Sequence, residues 1–152
     1  VVAASDVYKR QVYGLALCYH YTHEEAILPL FERVTKYFID HLPEDYVPYW
    51  DLIFSDGSCE PRDTSAAAIA ACGILEMEKY YHNQEFLDIA KKMMSSLSEK
   101  YTTVDYLQSN GIIKDGMYSR KHGHKSECTS WGDYFYLEAL MRMKKSDWKI
   151  YW

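Results

Sequence analysis

From residue 12 to 21 the chain reads VYGLALCYHY, which is apolar around nearly the whole circumference of a helix and predicts one buried on two sides. The next stretch differs. Over 28–42, Leu30, Val34 and Phe38 share one stripe while Glu32, Arg33, Lys36 and Asp40 fall elsewhere, so a surface helix is predicted there. Pro29 suits the first turn of that helix, where an amide hydrogen would go unpaired in any case. Residues 24–27 read as a separate short turn.

A loop rich in Pro, Asp and Gly occupies 43–62, and a third helix is predicted over 63–81. Its first half, TSAAAIAACG, is almost all small residues, which lets neighbours approach on several sides. Asp63 or Thr64 is the expected N-cap, an oxygen that accepts the unpaired amides of the first turn. Over 84–100, Phe86, Ala90, Met93, Met94 and Leu97 recur at helical spacing with Lys91, Lys92 and Glu99 opposite, an amphipathic pattern again. A Gly-containing region at 110–130, with a short extended piece at 116–119, precedes a final helix over 132–144 whose start, DYFYLEALM, is apolar on most faces.

The order is therefore buried, surface, buried, surface, buried. Helical hairpins with that rhythm build a double-walled ring, its inner wall packed on both sides and its outer wall wetted on one, or an open helical solenoid. Periodicity alone does not separate the two.

Composition narrows the function. A hydrophobic fraction of 48% and an aromatic fraction of 16% mark globular protein and exclude disorder. The formal net charge of -5, without a dense Lys/Arg run, argues against a nucleic-acid partner. Lys, Glu, Asp or His interrupts every run short of the roughly 20 apolar residues of a membrane span, so a soluble domain with no membrane partner is expected. Cys18, Cys59, Cys72 and Cys128 are widely spaced with no C-x-x-C pair, and are read as reduced thiols. His122, His124 and Cys128 do not make a convincing metal set, since a loop H-x-H with one Cys is a weak pattern; no metal or cofactor is expected.

The extreme N-terminus reads differently from the rest. DVYKRQ, at 6–11, would be encoded by GATGTGTATAAGAGACAG, a string resembling the transposase ends used in preparing sequencing libraries, so residues 1–11 are expected to be non-native. Targeting logic does not apply to such an end.

Three segments carry more than periodicity: VPYWDL at 47–52, EPRDTSAAAIAACGILEM at 60–77 and WGDYFYLEALMR at 131–142. In this order they resemble the C-terminal signatures of unsaturated glucuronyl hydrolases, and YGLALCYHYT at 13–22 is similar to the helix that precedes them. The resemblance covers 12–152. Unsaturated rhamnogalacturonyl hydrolases share the barrel but match the Pro-Arg-Asp-Thr-Ser-Ala run less well.

The resemblance implies an all-α fold, the C-terminal portion of a six-hairpin α/α barrel lacking its N-terminal side. It also implies a reaction on an unsaturated uronic-acid oligosaccharide released by a polysaccharide lyase. An aspartate protonates the C4=C5 double bond at C4 while water adds at C5, and the hemiketal collapses to release the sugar. This is hydration of a vinyl ether, distinct from displacement at the anomeric carbon, and needs no metal. The resemblance places such enzymes in the bacterial cytoplasm or periplasm. In the family the catalytic aspartate and an RGQAW-like segment with a substrate-contacting glutamine precede the region matched here. Gln11 falls about three residues too close to Tyr13 to be that glutamine. No catalytic residue is assigned to this chain.

What remains are candidates for substrate binding. Asp63 and Ser65 begin one inner helix, and Trp131 and Asp133 another, where free amide hydrogens and positive potential suit a uronate carboxylate or a sulfate. Trp50 and Trp131 offer flat faces for sugar rings, against an alternative reading as packing aromatics. Arg62 and Lys125 can pair with acidic groups. Within SRKHGHKS at 119–126, Ser119, Lys125 and Ser126 are the counterparts the resemblance suggests for sulfate contact, against a merely solvated basic loop. A non-catalytic helical repeat or carbohydrate-binding module is the competing function; it calls for polar caps at both ends, and apolar helices stand there instead.

Overall fold

In the computed structural model, residues 4–118, 127–145 and 147–150 are described. Among them are five helices, α1 (Ala4–Thr22), α2 (Ile27–Asp40), α3 (Thr64–Met77), α4 (Gln84–Lys100) and α5 (Ser130–Lys144). Extended segments pair only as isolated bridges, Tyr49 with Arg62, Thr102 with Ile113 and Gly116 with Glu127. No described helix is long and apolar enough to cross a membrane.

Helix α3 is the centre. Every one of its residues except Leu75 is buried, which the run of Ala, Ser, Cys and Gly allows because small side chains leave room for backbones on all sides. On one flank lies α1: a Cβ at Gly73 would sit 2.8 Å from both Cα and N of Tyr13, so the two backbones touch there. On the other lies α5, where the Cys72 thiol donates to the Phe135 carbonyl at 3.2 Å. Helices α2 and α4 cover the outside, α2 through Phe31, Thr35 and Phe38, α4 through Phe86, Ala90, Met93, Met94 and Leu97. Phe31 meets Phe86 edge-on at 6.3 Å. Burying such a Phe or Met side chain contributes about 1.5–3 kcal/mol each.

The three inner helices run in the same direction. Gly132 at the start of α5 abuts Ser65 at the start of α3, while Glu76 near the end of α3 bonds Arg142 near the end of α5 and His20 near the end of α1. Helix α1 begins earlier than the pattern predicts, at Ala4, because 4–11 continue the helix that starts to be buried at Lys9 and Val12. Helix α1 packs on α3 and α2, and α5 packs on α3 with a smaller contact to α4. Each has one inner neighbour, so Tyr21 on α1 and Tyr134, Leu137 and Met141 on α5 are exposed.

Capping differs from expectation in one place. Asn83 accepts from the Phe86 amide at 3.1 Å and Thr129 from the Gly132 amide at 3.2 Å, as caps do. Asp63 holds the cap position of α3, but its carboxylate makes no cap bond; it accepts from the Ser65 hydroxyl at 2.6 Å and from Lys9 at 2.9 Å.

A buried ionic network ties the C-terminal ends of the inner helices together. Glu76 accepts from Arg142 and, at 2.7 Å, from Lys79, and lies 2.7 Å from the His20 ring. Glu138 accepts from Arg142 Nε at 2.9 Å and from the Tyr13 hydroxyl at 3.1 Å. Burial alone would push the Glu76 carboxyl up, but hydrogen bonds and charge from Lys79 and Arg142 outweigh it and hold the pKa below its ordinary 4.5.

Gly73→Ala separates helix propensity from packing. Propensity favours Ala by about 1 kcal/mol, yet the added methyl meets the α1 backbone, and overpacking of this kind costs about 1–3 kcal/mol. A net loss of stability in urea unfolding is expected. Because Glu76 has a lowered folded pKa, its contribution is complete above pH 4.5 and is lost as pH falls through the folded value. Glu76→Gln should therefore destabilise the protein near neutrality by about 3–5 kcal/mol, Arg142 losing a buried partner, and should flatten the acid side of its stability profile.

Candidate functional site

The opposite end of the inner wall, where α3 and α5 begin, gathers most of the residues singled out from the sequence. The loop before α3 doubles back as a short ribbon: the Asp63 amide donates to Pro48 at 2.8 Å and the Trp50 amide to Pro61 at 3.0 Å. Trp50 is half-buried on that ribbon, with its indole NH on Glu60 at 2.8 Å and its ring 5.7 Å from Phe54. Arg62 turns into the same loop, donating to the Val47 carbonyl at 2.6 Å, pairing with Asp45 at 3.1 Å and lying 4.0 Å over the Tyr49 ring. Within the chain its guanidinium thus holds the ribbon shut.

Asp63 and Ser65 are both buried at the start of α3. Ser65 donates to Asp63 and accepts from Lys9 at 3.0 Å. Lys9 lies in the stretch expected to be non-native. Asp133, in the first turn of α5, accepts from the amides of Ile112 and Ile113, each at 3.0 Å. Thr64 donates from its hydroxyl to the Lys114 carbonyl at 2.8 Å and from its amide to that of Asp115 at 3.1 Å. The 112–117 segment is thereby wedged between two helix N-termini.

Trp131 is 36% exposed. Its ring meets Tyr118 at 5.8 Å, the planes 47° apart. Beside it opens a cavity of about 290 Å³ lined by Lys9, Arg10, Tyr13, Gly14, Ile69, Trp131 and Phe135. Aromatic faces make much of this wall, and no carboxylate is among the lining residues; of the two lining cations, Lys9 is buried and paired with Asp63. Burial pushes the Tyr13 hydroxyl well above its ordinary range, and Glu138, by charge and by its hydrogen bond, adds to this, so Tyr13 stays a protonated donor. Burial and then the Glu138 bond do the same for Tyr134. A larger cavity, about 540 Å³, lies at the far end between Leu75, Lys79, Leu87 and Arg142, away from the inner-helix N-termini. No group of metal-ligating side chains occurs among the described residues. Ser119, Lys125 and Ser126, and with them His122 and His124, lie outside the described residues.

No family model matches the chain. Curated relatives do. It is 43% identical to the unsaturated chondroitin disaccharide hydrolase of Streptococcus agalactiae and 45% identical to that of Streptococcus pneumoniae, each over 93% of this chain and 37% of the relative. To the unsaturated glucuronyl hydrolase of Bacillus sp. GL1 it is 36% identical over 88% of its length and 37% of the relative. The crystal structure of the S. agalactiae unsaturated glucuronyl hydrolase superposes with a TM-score of 0.91 at 41% identity, over 97% of this chain and 38% of that one. Over nearly its whole length the chain is homologous to one part of the unsaturated glucuronyl hydrolases. It spans about 37% of the length of the curated relatives it matches. Its five helices are part of that family's α/α barrel, with α1, α3 and α5 in the inner wall and α2 and α4 outside, the layering that hydrophobic periodicity predicted. A mutant of the S. agalactiae enzyme, solved in complex with dGlcA-GalNAc6S, superposes at 0.91 over 98% of this chain and 41% of that one.

Sequence reasoning missed Tyr13, Tyr118 and Phe135. Phe135 follows Trp131 by four residues and so shares its helix face, a signal that was available. Tyr13 and Tyr118 gave none, because their closeness to the α5 residues is a product of the fold.

Proposed function

We propose that the chain forms part of the saccharide pocket of a glycoside hydrolase that removes the non-reducing-end unsaturated glucuronic acid from lyase-generated glycosaminoglycan oligosaccharides. The observation that carries the reading is the aromatic face of Trp131, exposed on the inner-wall cavity beside Tyr118, at the end where helix N-termini favour an anionic sugar. Homology to one part of enzymes that act on such disaccharides supports the substrate class.

Hydration of the C4=C5 bond needs a group that delivers a proton to C4 and activates water for C5. Asp63 and Asp133 are the carboxylates nearest the inner-helix N-termini described here, and both are occupied by amide, hydroxyl or ammonium donors. The proton donor is therefore assigned to the rest of the enzyme. This chain's share is to orient the sugar ring and exclude water along the aromatic wall.

The purified 152-residue chain should leave the absorbance of the substrate double bond unchanged. Joined in place of the matching segment of the S. agalactiae relative, it should restore loss of that absorbance. Turnover by the chain alone would mean that it holds a proton donor, and a folded chimera without turnover would defeat the hydrolase reading. We further assign sulfate contact to Ser119, Lys125 and Ser126. In the active chimera Lys125→Ala should then weaken a 6-sulfated disaccharide more than an unsulfated one, by about 1.5–3 kcal/mol, the worth of a charge-assisted contact. Equal losses on both would assign the lysine to general attraction.

A further inference from the structure

We infer that Asp133 is a positioning residue, holding the 112–117 segment against α5 so that Tyr118 and Trp131 form one two-faced aromatic platform. The inference rests on the sugar-binding reading for its use but on geometry for its existence. A single oxygen, Oδ1, takes the amides of two successive residues, Ile112 and Ile113, at 3.0 Å each. Trp131 stands two residues before Asp133 in the same helical turn, and Tyr118 stands at the end of the segment that Asp133 anchors.

Asp115 has φ of 60°, a left-handed turn that aspartate adopts more readily than most residues, and it reverses the segment toward α3, where Asp63 accepts from the Met117 amide at 3.5 Å. Two glycines let the segment run tightly along the lead-in to α5. A Cβ at Gly111 would fall 2.3 Å from the Cβ of Cys128, and one at Gly116 would fall 3.0 Å from the Thr129 side chain. The Gly116 amide donates to the Glu127 carbonyl at 2.8 Å. On the other side Thr64 takes the same segment to α3. Asp133 is thus the side-chain tie on the α5 side, and it joins the helix that carries one ring of the platform to the strand of chain that carries the other.

A carboxylate at a helix N-terminus also stabilises by charge alone, and this gives the test its contrast. Asparagine keeps an oxygen that accepts both amides and loses the charge; alanine loses both. The full 152-residue chain and its Asp133→Asn and Asp133→Ala variants are compared by NMR without ligand, then titrated with unsaturated chondroitin disaccharide. In the Ala variant the Ile112 and Ile113 amides should exchange about tenfold faster or more, the scale of a lost charged hydrogen bond. The Tyr118–Trp131 ring contact should vanish with them, and disaccharide affinity should fall several-fold. The Asn variant should keep all three.

Retention of the ring contact in a folded Ala variant overturns the inference, as does an Asn variant that loses it, because charge rather than positioning would then be at work. Should the Ala variant not fold, the Asn variant decides alone on the same contact. A wild-type chain with an intact ring contact that shows no response to the disaccharide counts against the sugar-binding reading and leaves Asp133 to be judged by the ligand-free contact.

Discussion

Everything in this molecule depends on how closely α1 and α5 approach α3. Side chains no larger than Ala, Ser and Cys along most of α3, and a glycine at the crossing with α1, bring the backbones to contact. That closeness sets the curvature of the inner wall, and it carries Tyr13 of α1 to Phe135 of α5, whose rings meet edge-on at 5.1 Å. The cavity wall is made of residues from three helices because the middle one is thin.

The two ends of the wall are stabilised by different mixtures of ties. At the C-terminal end, Glu76, Glu138 and Arg142 are buried and paired, with Lys79 and His20 at the margin, while Glu138 Oε2 accepts and Arg142 Nη2 donates no hydrogen bond among the described residues. Negative helix ends are a poor place for two buried carboxylates, and the arginine between them offsets that cost. At the N-terminal end Asp133 and Thr64 tie side chains to loop backbone, Thr129 caps α5, and one buried ion pair, Lys9 with Asp63, stands at the start of α3.

Much of the fold was legible because burial follows period. Helix α4 has the predicted bounds, and the small-residue run at 66–73 announced a helix packed on every side. The exposed apolar face of α5 has a physical origin, since a helix apolar all round states how many neighbours it can accept and not how many it has. The site was legible only as chemistry. Trp131 and Asp63 were singled out because aromatic faces and helix starts are local features. That Arg62 would spend its guanidinium on Val47, Asp45 and Tyr49 is set by a loop that closes on itself, which no local pattern encodes.

Asp63 and Asp133 show why residue type near a helix start is a weak guide to role. Each stands within a residue or two of a point where amides are free, and from the sequence each could meet a ligand. In the fold, both are already committed. Asp63 takes a hydroxyl and an ammonium, and Asp133 takes two amides of a segment held partly in a left-handed conformation. A carboxylate that must give and take a proton at carbon needs an oxygen free to reach the substrate. Donors at 2.6–3.0 Å hold both groups in place, which suits a frame and not a shuttle. Whatever ligand this end of the wall meets, the roles open to its carboxylates follow from which oxygens the backbone and its neighbours have already claimed.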